Sequence, residues 1–182
     1  MRTSAGKHWR RVHNTAGRVP PTPAHRKGAR TMRRDYSLAE NRLCPSDDAS
    51  GPIIVFINPD EAERRTLTEQ YGIDEHTLAS ALDPDELARL EFEPDHAAII
   101  FKRPKNYSGH DQFLFKVLSA GVFLFKERMI VVLGDDVPLF DGKEFQRVGS
   151  LTSVMLRLIY RSIVHFREHL KVINMISDEL QT

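Results

Sequence analysis

Residues 52–57 read Pro-Ile-Ile-Val-Phe-Ile, an unbroken apolar run rich in β-branched side chains. Successive side chains of a strand point to opposite faces, so a run with no polar member needs cover on both. It predicts a buried central strand. The residues that follow predict a helix. Asn58 suits an N-cap, Pro59 the first helical position, and Asp60 and Glu61 the positive end of the helix dipole. That helix is expected to reach about Tyr71 and to stop at Gly72. Asp74 then caps a second helix whose apolar face is Leu78, Ala81 and Leu82, with Pro84 at its end.

A sheet-rich stretch comes next. Leu90 and Phe92, then Ala97–Phe101, predict two strands around a Pro94-Asp95 turn. Phe113 to Leu118 alternate, Val122–Phe125 is apolar, and Lys126-Glu127-Arg128 turns into the apolar run Met129–Leu133. Together they predict an antiparallel meander. Gly121 inside this run reads as a bulge. Ahead of the central run, Tyr36, Leu38 and Leu43 predict a short strand and turn, and Cys44–Gly51 a polar loop. Residues 134–149 read as a loop with a short helical turn. From Leu151 the period becomes helical. Leu156, Ile159, Ile163, Phe166, Leu170, Ile173 and Leu180 fall on one seam, with Ser177 in the gap. Such a narrow stripe suits packing on another helix. The final Asp178-Glu179-Leu180-Gln181-Thr182 holds no helix stop signal, and its acidity opposes the dipole. The helix is therefore expected to continue beyond Thr182.

Charge divides the chain. Residues 1–34 hold ten of the 26 Lys and Arg and none of the 25 Asp and Glu, while the rest carries a net −9. An acidic body argues against a nucleic-acid surface and suits cations. Residues 1–31, with Pro20, Pro21, Pro23 and few apolar side chains, predict a disordered basic tail. Globular patterning begins at Met32, which is expected to be the natural start. One cysteine excludes an internal disulfide and, without an export signal, points to a reducing compartment. Cys44 lacks the cationic surroundings of a reactive thiolate. No apolar run is long enough for a membrane-spanning helix.

Three groups invite a chemical reading. His165-Phe166-Arg167-Glu168-His169 spells H-x-x-E-H, which on a helix offers two zinc ligands and a general base, as in a zinc peptidase. The motif still needs a third protein ligand, and only 13 residues follow His169. Asp83, Asp85 and Glu86 cluster around Pro84, and Asp135, Asp136 and Asp141 follow the last strand. Oxygen-rich groups of this kind suit Mg2+ or Ca2+, although the calcium-loop spacing is missing. No nucleophile elbow, phosphate-binding loop or dinucleotide fingerprint is present.

The order of landmarks resembles one family. A strand ending in Asn58-Pro59 leads through Glu61-Ala62-Glu63 and Leu67 to Tyr71-Gly72-Ile73. Leu82-Asp83 closes the next helix, Arg89-Leu90-Glu91 opens a strand, and Arg103-Pro104 follows. A hairpin closing on Met129–Leu133 and a helix carrying Leu156 to Leu180 complete the set. From about Met32 to Thr182 the chain is similar to the N-terminal cytoplasmic domain of CorA-like magnesium and divalent-cation transporters. The resemblance implies an α/β fold, a mixed sheet between helical layers followed by a long stalk-type helix. It also implies two transmembrane helices and a Gly-Met-Asn signature after the stalk, assembly as a homo-pentamer, and placement at the cytoplasmic face of the inner membrane. Regulatory Mg2+ would sit between neighbouring domains. The family's sensing carboxylate falls at Ser80, after Ala79, and Ala88 replaces a proline before the strand's arginine. Asp83 and Asp85 are then the candidate metal ligands, with a partner carboxylate beyond residue 182.

The expected function is thus the cation-sensing domain of a divalent-cation transporter, without a catalytic role or a nucleic-acid partner. The competing readings are a metal-free soluble module that pairs helices through its seam, and the zinc peptidase.

Overall fold

The computed structural model of the chain describes residues 33–47, 51–105 and 116–181. The basic tail and the strand residues expected at Phe113–Phe115 lie outside the described residues. The strands are β1 (Arg33–Ala39), β2 (Arg42–Ser46), β3 (Ile53–Ile57), β4 (Arg89–Phe92), β5 (His96–Pro104), β6 (Val117–Phe125) and β7 (Met129–Leu133). They form one seven-stranded sheet in the order β2-β1-β3-β7-β6-β5-β4. The helices are α1 (Glu61–Arg65), α2 (Glu75–Leu82) and α3 (Leu151–Leu180).

The unbroken run is the centre of this sheet. β3 pairs parallel with β7, from Ile53 opposite Met129 to Ile57 opposite Leu133. Every residue of both strands is buried. Ile53, Val55 and Ile57 join a core with Val131, Val154 and Leu158 on the α3 side. Ile54 and Phe56 join Leu67, Leu78, Ala81 and Val132 on the α1–α2 side. The fold is therefore α/β, a mixed sheet between helical layers. β4 to β7 are the antiparallel meander read from the sequence.

Several local expectations change. The cap of α1 is Asp60, not Asn58. Asp60 accepts from the Glu63 N–H, and Glu63 returns a bond to the Asp60 N–H, a reciprocal capping box. Asn58 instead turns the chain out of β3 at φ 46°, a conformation its short polar side chain tolerates. After α1 the helix widens into a π-helical segment, Thr66–Gln70, before Gly72 stops it at φ 67°. Cys44 to Ser46 belong to β2 rather than to a loop, paired with Asp35 to Ser37 of β1. Gly121 is not a bulge, since it keeps register with both Ile100 and Val132. Its missing Cβ makes room for α2. A methyl there would stand 2.6 Å from the Ala81 Cβ.

The largest correction concerns α3. Ser150 caps it by accepting from the Ser153 N–H, and it packs on β5 and β6. Its buried residues are Val154, Met155, Leu158, Ser162 and His169. The seam read from sequence lies one residue further on, about 100° round the helix. Leu156, Ile163 and Leu170 are each more than half exposed. Ser162 belongs to the packed face because its Oγ donates to the Lys102 carbonyl of β5, at 2.5 Å. From Leu170 onward every described residue is exposed or half-buried, so the helix projects past the sheet.

Candidate functional site

The turn after α2 gathers the candidate ligands. Asp83 caps the C-terminus of α2, its N–H bonded to the Ala79 carbonyl. One of its carboxylate oxygens accepts from the Asp85 N–H at 2.8 Å. The Asp83 carbonyl accepts from Ser119 Oγ, and Lys102 Nζ donates to the Pro84 carbonyl at 2.5 Å and to Ser119 Oγ at 3.0 Å. β5 and β6 therefore hold the turn rigidly, with Asp83 and Asp85 facing solvent.

The third acid is turned inward. Arg89 pairs with Glu86 at 2.8 Å and with Glu91 at 2.7 Å, and donates to Ser80 Oγ at 2.9 Å. Ser80 Oγ in turn donates to Glu86 at 3.0 Å. These bonds hold the Glu86 carboxylate below its usual pKa, the Ser80 hydroxyl first and the Leu87 N–H next. Ser80, where the resemblance places a sensing carboxylate, is buried and committed to this network. Mg2+ prefers six oxygens in an octahedron and keeps several waters. Two exposed carboxylates, one already accepting an N–H, supply only part of such a shell. Among the described residues, no three or more His, Cys, Asp or Glu gather as a metal site.

The other acids are dispersed. Asp135 pairs with Lys105 at 2.8 Å and Asp136 with Arg34 at 2.7 Å. Asp141 lies apart, on the wall of a small cavity with Arg103, Arg161 and His165.

The H-x-x-E-H motif does place its histidines together, ring centroids 4.6 Å apart. Glu168, however, sits on the exposed side of α3 while His169 is buried. A zinc peptidase needs that carboxylate beside the metal-bound water. Burial lowers the pKa of both histidines, with His169 and Arg103 adding to the effect at His165. The sign follows from linkage. Below the unfolded value, about 6.5, the unfolded chain takes up protons that the folded one resists. Stability therefore falls as pH drops from about 6.5 towards the lowered folded values. Asp74 and Glu86, whose pKa values are also lowered, lose their contribution only below about pH 4. The melting temperature is thus expected to fall between about pH 7.5 and 5.5. In His165→Gln/His169→Gln most of that fall should disappear. An equal fall in the double variant would assign the effect elsewhere.

The sequence marked Arg103 only as a landmark with Pro104 and gave no role to it, buried at the end of β5, or to Lys102 beside it. The signal was present as two cations directly after the apolar run Ala97–Phe101.

A family model described as CorA-like Mg2+ transporter protein matches residues 52–182. No curated protein matches the chain. Among solved structures, the soluble domain of CorA from Methanocaldococcus jannaschii is 20% identical with a TM-score of 0.54. It covers 82% of this chain, which spans 64% of it. The full-length CmaX protein is 14% identical with a TM-score of 0.59, and the chain spans 50% of it while 82% of the chain is covered. The ZntB cytoplasmic domain from Vibrio parahaemolyticus is 13% identical with a TM-score of 0.58, covering 80% of this chain and spanned to 63%. At these identities the structures establish the shared fold.

Proposed function

The chain belongs to the family of CorA-like Mg2+ transporter proteins, and on that premise we propose that it is the cation-responsive cytoplasmic part of a divalent-cation transporter. The observation that carries this reading is the reach of the family match, from the central strand through the whole of α3. No described helix is long and apolar enough to cross a membrane, so conduction is not assigned to these residues. The net −9 of residues 35–182 and the rigid Asp83–Asp85 turn support cation binding. That turn is half a site. It is completed by water and by oxygens of a neighbouring copy, at the cytoplasmic face of the inner membrane in a homo-oligomer such as the family's pentamer. Bound Mg2+ holds acidic faces together and favours one closed arrangement. Its loss lets like charges repel and frees α3 to move.

Mg2+ bound preferentially by the folded state raises the melting temperature. At a tenfold excess over Kd the expected rise is about 3–6 °C. Asp83→Asn/Asp85→Asn should abolish it. A rise of the same size with Ca2+ would reduce the effect to ionic strength, and no rise at millimolar Mg2+ would remove sensing from this chain.

A second reading, a helix-pairing module, gains support from the exposed stripe of α3. It places association on that stripe rather than on the acidic faces, and it needs no metal.

A further inference from the structure

Arg103 is 5% exposed. Its Nη2 donates to the Pro138 carbonyl, while its Nη1 has no hydrogen-bond partner among the described residues. A buried guanidinium with an open donor is costly, because it has given up water without full replacement. The residue lines a small, partly open cavity of about 50 Å³ together with Pro138, Asp141, Arg161 and His165. A single water needs roughly 10–15 Å³ by this kind of measure, so there is room for one small polyatomic ion. Arg161 is only loosely engaged, its Nε 3.4 Å from a carboxylate oxygen of Glu144. The wall thus carries two guanidiniums and an imidazole against one carboxylate, Asp141.

We propose that this cavity is a binding site for inorganic phosphate carrying a proton, held by Arg103 and Arg161, with His165 and Asp141 completing the shell. A water would satisfy the open Nη1 but leave Arg103 without a contacting counter-ion, whereas an oxyanion does both. The fork geometry of a guanidinium matches a tetrahedral oxyanion. Asp141 selects among oxyanions. Its carboxylate accepts a hydrogen bond from a phosphate O–H, and it repels sulfate, which has no proton to give. Burial lowers the Arg103 pKa, with Asp141 opposing the shift and the nearby Arg161 adding to it.

The consequence is mechanical. Arg103 belongs to β5, Arg161 and His165 to α3, and Pro138 and Asp141 to the connection between β7 and α3. One bound ion would join all three elements beside the Ser162–Lys102 bond that docks α3 on the sheet. The docking of the long helix would then respond to phosphate, whether or not the acidic turn responds to Mg2+.

Calorimetric titration of phosphate and of sulfate into the full chain, in a chloride buffer, tests this. One phosphate per chain is expected, with sulfate at least tenfold weaker. Arg103→Met and Arg161→Gln should each weaken phosphate about tenfold or more, the scale of a lost charge-assisted hydrogen bond. Asp141→Asn should erase the preference for phosphate over sulfate. Should Arg103→Met fail to fold, Arg103→Lys keeps the charge and loses the fork, and Arg161→Gln lies nearer the surface. Three results would overturn the proposal. They are no phosphate heat, binding unchanged in the arginine variants (the basic residues 2–34 then being the source), and equal affinity for sulfate in the native chain.

Discussion

Leu158→Ala is expected to destabilise the chain by about 2–5 kcal/mol, while Leu156→Ala changes stability by less than about 0.5 kcal/mol. Leu158 is fully buried in the core between α3 and the sheet, and removing its isobutyl group leaves a cavity among Val131, Val154 and their neighbours. Leu156, two residues earlier, is 57% exposed and has little burial to lose within a single chain, so the comparison is made at concentrations below self-association. Both are leucines of one helix, so propensity cancels between them and the contrast reads packing alone. Urea unfolding of the two variants, with the slopes compared, measures it. Similar losses in both would mean that the seam read from sequence also packs on the sheet, contrary to the fold described above.

That contrast marks how far the sequence carries. The central strand was legible because no polar residue interrupts Ile53–Ile57, and an unbroken run has one physical solution. The meander was legible because its strands alternate with turns of recognisable chemistry, such as Pro94-Asp95. The packed face of α3 was not legible. Its first half carries apolar residues on two adjoining faces, so period alone offers two stripes one residue apart, Leu158 with Ser162 and Ile159 with Ile163. The sheet chose the stripe containing Ser162 and His169, because a hydroxyl there satisfies the Lys102 carbonyl and an imidazole tolerates burial in neutral form. Asn58 failed as a cap for a related reason. Asp60 and Glu63 satisfy two N–H groups reciprocally, and no single cap competes with that. At the acidic turn, the sequence showed the carboxylates but not their partners. Arg89 removes Glu86 from any metal shell, and that pairing depends on the fold. The burial of Arg103 was hidden because charge at the end of a strand normally reads as solvated.

Under the proposed self-association, Ile163→Asp together with Leu170→Asp is expected to leave a 20.8 kDa monomer, weakening association at least about a hundredfold. Leu156, Tyr160, Ile163 and Leu170 form an exposed apolar stripe along α3, with the half-buried Phe166 bridging the seven-residue step between the last two. A monomeric protein rarely leaves such a stripe in water, and the spacing is that of a helix packing against another helix. Neither residue contributes to the described core, so the double variant should keep its melting temperature while losing mass in sedimentation equilibrium. Leu90 and Phe92 on the edge strand β4 are the competing apolar surface, exposed to 53% and 80%. If the α3 variant still associates and Phe92→Asp does not, the interface belongs to that edge. The metal then discriminates between the two functional readings. Cation bridging requires that Mg2+ tighten association in the native chain and that Asp83→Asn/Asp85→Asn abolish the tightening. A helix-pairing module requires association of equal strength with and without the ion. Because the apolar stripe and the acidic turn are separate groups of residues, the two double variants separate contact from control.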